Sequence, residues 1–189
     1  QVKAIVRSLP ARVCTVGVFV NRPSDEVLQI AKSCGLDFVQ LHGGESPDYC
    51  RRFPRERLIK AVSFEGEQDV AAKAAYPVRA FLVDARDPVR LGGTGKTCDW
   101  DLARRFAARH PLILAGGLNA ANVGAALEAV RPLAVDLSSG VEAAPGKKDH
   151  QKLHALIAAV RQCDASSFAD DRECLFRKIP LQTPFSKRG

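Results

Sequence analysis

Six short apolar runs recur along the chain at nearly constant spacing. They are centred on Val18, Val39, Ala61, Val83, Leu114 and Val135, with successive spacings of 21, 22, 22, 31 and 21 residues. Such a spacing fits a strand followed by a helix, and the longer interval indicates an insertion after the fourth strand. The runs are continuous rather than alternating, as expected for parallel strands covered on both faces. The sequence therefore predicts an α/β fold of about six βα units.

Helix signals lie between the runs. Ser24 is expected to cap a helix that Gly35 ends, and Ser46-Pro47 gives a cap followed by proline at the first helical position. Asn119 is expected to open an Ala-rich helix, and Asp149 the last helix. Each helix is thus predicted to return the chain to the next parallel strand.

Polar or small residues follow every predicted strand. They are Asn21, His42, Ser63, Asp84, Gly116-Gly117 and Ser138-Ser139-Gly140. A doubly wound sheet concentrates its ligand groups near one switch point, whereas a barrel uses the carboxyl ends of all its strands. The pattern therefore favours a TIM (β/α)8-type barrel, here an incomplete barrel that lacks two units.

Composition limits the partners. The chain has 189 residues, a formal net charge of +7 and 46% hydrophobic residues, which fits one soluble globular domain. Basic residues are scattered among acids and aromatics are only 6%, so we expect a small anionic substrate and no nucleic acid. No bilayer-spanning stretch or signal peptide is visible, so we expect no membrane partner and a cytoplasmic location. Six cysteines without C-x-x-C spacing favour free thiols and no metal.

An acidic group ends the fourth apolar run. A carboxylate at the end of a buried strand is where a barrel places a proton donor, so Asp84 is the candidate catalytic residue; the alternative is an aspartate that caps its own loop. The loop that follows contains Gly92, Gly93, Gly95 and Lys96. It is not a P-loop, because Arg90 stands where that motif requires glycine. We interpret it as a lid that closes over the substrate.

Two turns that follow the last two strands form the candidate phosphate site. Its residues are Gly116, Gly117, Asn119, Asp136, Ser138, Ser139 and Gly140. Glycines let backbone N–H groups approach an anion closely and serine hydroxyls add donors, which is how barrels bind phosphate after their last strands. The alternative is a pair of tight turns without a ligand.

Two further polar residues stand near the second and third strands. His42 is placed to hydrogen-bond a substrate hydroxyl or carboxylate; the alternative is a histidine that satisfies local structure. Lys60 lies inside an apolar run and is costly to bury unpaired. It is therefore expected to point into a polar barrel interior or to lie on an edge.

Several motifs occur in a fixed order. They are Val16–Asn21, Val39–Gly43, Leu82–Asp84, Gly92–Thr97 with Asp99-Trp100, Leu114–Asn119 and Val135–Glu142 with Pro145–Asp149. Together they resemble phosphoribosylanthranilate isomerase over about residues 1 to 162. The resemblance implies a TIM barrel of tryptophan biosynthesis that needs no cofactor, acts on a small phosphorylated substrate, and is a monomer or homodimer when complete.

The resemblance also implies a reaction. It is the Amadori rearrangement of N-(5-phosphoribosyl)anthranilate to 1-(2-carboxyphenylamino)-1-deoxyribulose 5-phosphate. Asp84 would be the general acid that protonates the furanose ring oxygen, so that the ring opens to a Schiff base. A general base would then take the proton from C2, giving an enamine that relaxes to the ketone.

The family's general base is a cysteine in a Lys-Ile-Cys-Gly-Ile-Thr strand, and none of the six cysteines stands in that setting. The chain starts at Gln1, and residues 1–10 look like the end of the second helix of the barrel. We therefore expect a chain without the first two βα units and with negligible activity on its own. The strands near Val18 and Val135 would then be unpaired edges.

Residues 163–189 depart from the family and are expected to form a disordered extension after a barrel of residues 1–162. Two other functions are open. One is a non-catalytic barrel fragment that still binds phosphate. The other is a different phosphate-binding barrel such as indole-glycerol-phosphate synthase, against which the loop from Gly92 to Trp100 argues.

Overall fold

The computed structural model of the chain describes residues 1–64, 66–84 and 100–167. These residues form two compact units. One unit comprises Gln1–Val62 and Lys73–Phe81, and the other comprises Ser63–Ala72 and the described residues from Leu82 onward. The residues of the predicted lid, Gly92, Gly93, Gly95 and Lys96, lie outside the described residues.

The first unit is built from parallel strands and their connecting helices. Its elements are α1 (Val2–Ser8), β1 (Val16–Phe19), α2 (Ser24–Cys34), β2 (Phe38–Leu41), α3 (Pro47–Cys50), β3 (Leu58–Val62) and the start of β4 (Ala80–Asp84). Strand β1 pairs with β2, and β2 with β3, both in parallel. The N–H of Arg79 donates to the carbonyl of Leu58 at 2.8 Å, so the entry to β4 lies beside β3. The order in this unit is β1-β2-β3-β4.

Two helix boundaries in this unit are those that the sequence predicted. Gly35 ends α2 in a left-handed conformation with φ of 72°, which glycine adopts without steric cost. Ser46 caps α3 by accepting a hydrogen bond from the N–H of Tyr49 at 3.2 Å, and Pro47 follows as the first helical residue.

The predicted cap at Ser24 is wrong. The N-cap of α2 is Pro23, and Ser24 is already helical. The hydroxyl of Ser24 instead accepts a hydrogen bond from Arg52 at 3.1 Å. A tertiary partner 28 residues away thus uses the oxygen that a local cap would need.

The second unit contains the remaining strands and the longest helix. Its elements are most of α4 (Glu67–Lys73), the end of β4, α5 (Trp100–Ala107), β5 (Leu112–Ala115), α6 (Val123–Val130), β6 (Ala134–Val135), β7 (Glu142–Ala144), β8 (Lys147–Lys148) and α7 (His150–Ser167). Strands β5 and β6 pair in parallel, and the order in this unit is β4-β5-β6. Strands β7 and β8 form a separate antiparallel pair. All six predicted apolar runs are therefore strands.

Helix α7 packs on the second unit through one face. Its start at Asp149 is confirmed, because Oδ1 of Asp149 accepts hydrogen bonds from the N–H groups of Gln151 and Lys152 at 2.8 and 3.1 Å. A buried cluster joins it to the preceding elements through Val123, Leu127, Val141 and Leu156. The helix runs to Ser167, so the expected disordered extension does not begin at Cys163, and residues 168–189 lie outside the described residues.

Strand β1 leaves apolar side chains in contact with solvent. Within the described residues it pairs only with β2. Val16, Val18 and Val20 are 37%, 59% and 57% exposed, whereas Phe19 is buried. This alternation shows that one face of β1 is covered and the other is not, while the predicted edge near Val18 follows from the place of β1 at the end of the strand order. No helix among the described residues is both long and apolar enough to cross a membrane.

Helix α7 provides a matched test of this packing. Leu156 is 4% exposed and Leu153 is 37% exposed on the same helix. We expect Leu156→Ala to lower the free energy of unfolding by about 2–5 kcal/mol, because it leaves a cavity in the cluster. Leu153→Ala should cost less than about 1 kcal/mol. Urea denaturation of both variants checks this, and equal losses would contradict the described packing.

Candidate functional site

Asp84 emerges at the carboxyl end of β4. The four residues before it are buried, and Asp84 itself is exposed. Strands β4 and β5 are parallel neighbours, so their carboxyl ends lie at the same edge of the sheet. The carboxylate of Asp84 and the turn that begins at Gly116 therefore lie at the same edge of the sheet in the second unit.

The turn after β5 depends on two glycines. Gly116 and Gly117 have φ of 100° and 61°, a region that L side chains avoid. Glycine is needed at position 117 because of the backbone conformation and not because of crowding, since nothing lies within 4 Å of the position that a Cβ would take. The turn therefore exposes main chain without side chains, as an anion-binding turn requires.

Asn119 serves the turn rather than opening the helix. Its Oδ1 accepts a hydrogen bond from the N–H of Ala121 at 2.9 Å, and its Nδ2 donates to the carbonyl of Gly117 at 3.3 Å. Its own N–H donates to Oδ1 of Asn122 at 2.8 Å. Helix α6 begins only at Val123, so the predicted helix start at Asn119 is wrong. These local side-chain bonds compete with the helix and hold a turn instead.

The turn after β6 lies directly against the turn after β5. The N–H of Asp136 donates to the carbonyl of Leu114 at 2.8 Å, which continues the sheet bonding to the start of the turn. Ser138 and Ser139 follow and are exposed. A Cβ built on Gly140 would overlap the carbonyl oxygen of Leu118. The structure therefore brings the predicted phosphate-site turns into contact, and only glycine allows this approach.

Lys148 is a neighbour of this site that the sequence reasoning did not single out. Its ammonium donates to the carbonyl of Ser138 at 2.8 Å and pairs with the carboxylate of Glu142 at 2.8 Å. The hydrogen bond from Lys148 is the main reason that the pKa of Glu142 is below its usual value. The adjacent Lys147-Lys148 pair was the available signal, but sequence alone does not show which lysine faces the turn.

His42 has a defined ring orientation in the first unit. The backbone N–H of His42 donates to the backbone carbonyl of Phe19 at 2.8 Å, and the residue is exposed. Nε2 of the buried Gln40 lies 3.0 Å from Nδ1 of His42. With the Gln40 amide in this orientation its NH₂ group donates to Nδ1, an arrangement that corresponds to the tautomer with its proton on Nε2. His42 thus presents a donor to its surroundings.

Lys60 does not lie on an edge, because β3 lies between β2 and β4, and its ammonium is buried among polar groups. Its side chain is 3% exposed, and its ammonium lies 3.1 Å from the carboxylate of Glu45, which is 2% exposed. Burial raises the pKa of Glu45, but hydrogen bonds from the N–H groups of Asn21 and of Glu45 itself, together with Lys60, bring it below its usual value. The sequence reasoning missed Glu45, because nothing local marks it as the partner of a lysine 15 residues away.

Four of the cysteines lie within the described residues. None of Cys14, Cys34, Cys50 and Cys163 forms a disulfide bond. Burial raises the pKa of Cys50 to about 11, so this thiol stays protonated at neutral pH. No group of potential metal ligands occurs among the residues that the structure describes.

The family model described as N-(5'phosphoribosyl)anthranilate (PRA) isomerase matches residues 1–159. The chain belongs to the phosphoribosylanthranilate isomerase family. A relative from Syntrophus aciditrophicus (strain SB), named N-(5'-phosphoribosyl)anthranilate isomerase, is 53% identical over 162 residues. That match covers 86% of this chain and 70% of the relative.

Solved phosphoribosylanthranilate isomerases have the same fold. The enzyme from Thermotoga maritima is 43% identical, with a TM-score of 0.72 over 85% of this chain and 79% of its own. A phosphoribosylanthranilate isomerase solved with reduced 1-(o-carboxyphenylamino)-1-deoxyribulose 5-phosphate, hereafter reduced product, is 40% identical, with a TM-score of 0.71. The latter match covers 85% of this chain and 78% of that one. The predicted barrel-type α/β fold and the predicted isomerase of tryptophan biosynthesis are confirmed.

The carboxyl of Glu45 generates a pH prediction. Its folded pKa is lowered from 4.5, so the stability it contributes is present above pH 4.5 and is lost as the pH falls through the folded value. At neutral pH, Glu45→Gln should lower the free energy of unfolding by roughly 3–5 kcal/mol, because Lys60 is left buried without its counter-charge.

The difference in unfolding free energy between the parent chain and Glu45→Gln should therefore shrink below pH 4.5. Chemical denaturation between pH 3 and pH 7 measures it. Glu26→Gln is the control, since water screens the exposed Arg22–Glu26 pair and little stability is lost with it. A difference that stays constant with pH would contradict this role of Glu45.

Proposed function

We propose that the described residues provide the general acid and the phosphate-binding turns of a phosphoribosylanthranilate isomerase site. The observation that carries the proposal is the contact between Gly140 and Leu118, which joins the two glycine-bearing turns in the unit that contains Asp84. The same proposal includes a cytoplasmic location and a monomeric or homodimeric state, as for an enzyme of amino-acid biosynthesis.

Asp84 would act as the acid. The ring oxygen of the phosphoribosyl group leaves C1 as the ring opens, so it needs a proton from a group at the carboxyl edge of the sheet. Asp84 is the exposed end of a buried strand, so its backbone is held while its carboxyl group stays accessible. Proton transfer to the ring oxygen yields the Schiff base, from which loss of the C2 proton gives the enamine.

The two turns would hold the phosphate. The backbone at Gly116 and Gly117 and the hydroxyls of Ser138 and Ser139 offer neutral donors, and Lys148 adds positive charge next to Ser138. Hydrogen bonds to a phosphate far from the reacting carbons supply binding energy that orients the sugar. Asp136 would act by fixing the start of the turn through its main chain rather than by touching the anion.

His42 would contribute a hydrogen-bond donor. With Nδ1 occupied by Gln40, Nε2 is the ring nitrogen left to donate to a ligand. The natural acceptor in this substrate class is a carboxylate or a sugar hydroxyl. This role is proposed for His42 alone and is tested separately from that of the phosphate turns.

We infer that none of the described cysteines is the proton acceptor at C2. Cys34 and Cys50 lie on helices, and Cys14 precedes β1. We therefore propose that the 189-residue chain binds the ligand but has turnover at background level. This keeps open the second function considered from the sequence, a barrel fragment that binds phosphate without catalysis.

The contact at Gly140 tests the phosphate site. We expect Gly140→Ala to lower the affinity for the reduced product at least tenfold, because the new Cβ forces the two turns apart. Gly124→Ala is the matched control, since its Cβ would meet only Cys163 Sγ at 3.5 Å, an ordinary contact. Titration calorimetry measures both variants. Equal affinities for Gly140→Ala and Gly124→Ala would remove the turns from the site.

The role of Asp84 is tested by turnover. The assay uses the 189-residue chain and a fusion that places the first two βα units of a family relative ahead of Gln1. The fusion should convert phosphoribosylanthranilate, and Asp84→Asn in it should lower kcat by about 10²–10⁴, the usual contribution of a general acid. Glu128→Gln, an exposed carboxylate on α6, is the control. Full activity of the Asp84→Asn fusion would exclude Asp84 as the acid, and turnover by the unfused chain would disprove the expected inactivity.

A further inference from the structure

We propose that Glu45 and Lys60 act as a pair of positioning residues that set the backbone of His42 and thereby the direction of its Nε2 donor. The inference rests on the ligand-binding role proposed above for His42. It assigns a function to two buried charges that neither the sequence motifs nor the phosphate turns explain.

Lys60 hydrogen-bonds to the main chain on both sides of His42. Its ammonium donates to the carbonyl of Gly43 at 2.8 Å and to the carbonyl of Leu41 at 3.3 Å. It also donates to the carbonyl of Ala61 at 2.9 Å in its own strand. One cation therefore bonds the residue before His42 and the residue after it, and ties both to β3.

Glu45 holds the same turn from the other side. One carboxylate oxygen accepts from the N–H of Asn21 at 2.9 Å, and the other accepts from the N–H of Gly43 at 2.9 Å. The N–H of Gly44 in turn donates to Oδ1 of Asn21 at 2.8 Å. A Cβ on Gly43 would collide with that amide, so the turn after β1 and the turn after β2 interlock. The ion pair thus connects the ends of β1, β2 and β3.

Stability alone is a poor explanation for this pair. Taking two charges out of water is costly, and apolar residues of similar volume often replace a buried ion pair without loss of stability. Apolar side chains, however, make no directional bonds to the main chain on both sides of His42. The ion pair fixes that segment by hydrogen bonds, while Gln40 fixes the ring.

The experiment measures binding of the reduced product by calorimetry to the full 189-residue chain. Glu45→Gln and His42→Ala should each weaken binding about tenfold. The double variant Glu45→Gln/His42→Ala should bind no more weakly than His42→Ala, because Glu45 acts through His42. Asp48→Asn is the control, since Asp48 is an exposed carboxylate that pairs with the exposed Arg51 and should leave affinity unchanged.

A second readout separates positioning from general destabilisation. The ring ¹⁵N shifts of His42 should report a proton on Nε2 in the parent chain and a mixture of tautomers in Glu45→Gln. If Glu45→Gln does not fold, the double variant Glu45→Gln/Lys60→Met is used in its place in each measurement, because it removes both charges together. Loss of binding with His42 shifts like those of the parent chain would overturn the inference.

The outcomes distinguish this inference from the function on which it rests. If His42→Ala binds like the parent chain, the ligand role of His42 fails and the positioning role fails with it. If His42→Ala weakens binding and Glu45→Gln does not, only the positioning role fails. If the two substitutions weaken binding additively, Glu45 acts on another part of the molecule and the inference is again overturned.

Discussion

The charge on Lys60 is the constraint around which the first unit is arranged. An ammonium inside a strand must exchange its water for protein acceptors, and a single side chain cannot supply enough of them. Three carbonyls and the carboxylate of Glu45 meet this need. Because those groups belong to turns after different strands, satisfying one buried charge fixes the position of several strand ends. The hydrogen bonds that compensate for burying Lys60 thereby also fix the geometry of the loop that carries His42.

The second unit fixes its strand ends by shape instead of charge. Gly140 touches the carbonyl of Leu118, and the two turns can approach because neither carries a side chain at the contact. The asparagines at positions 119 and 122 then bond the main chain of the turn. Neutral donors suit this place, since a buried counter-ion here would compete with a phosphate. Lys148 brings positive charge only to the rim, where Glu142 balances it.

The sequence predicted the features that neighbouring residues determine, and it missed those that depend on partners distant in the sequence. Apolar runs gave all six strands, and Gly35 and Ser46 gave their helix boundaries because each satisfies backbone groups within one turn. Ser24 failed because Arg52 takes its hydroxyl. The predicted site residues of the two turns were brought together, but Glu45 and Lys148 were not found, since their partners are set by the folded chain. His42 was found as a residue, although its ring orientation needed the contact with Gln40.

Binding and proton transfer are separable parts of the proposed reaction, and the fold shows how. In the proposed site, phosphate affinity would depend on main-chain turns whose geometry Gly140 and its neighbours set locally, while proton transfer at C2 would need one correctly placed base. A chain that holds the phosphate and the acid can therefore bind the ligand tightly without turning it over. Affinity of the 189-residue chain for the reduced product reports on the turns, and turnover reports on the base. The two measurements together separate what this chain contributes to ligand binding from what it contributes to proton transfer.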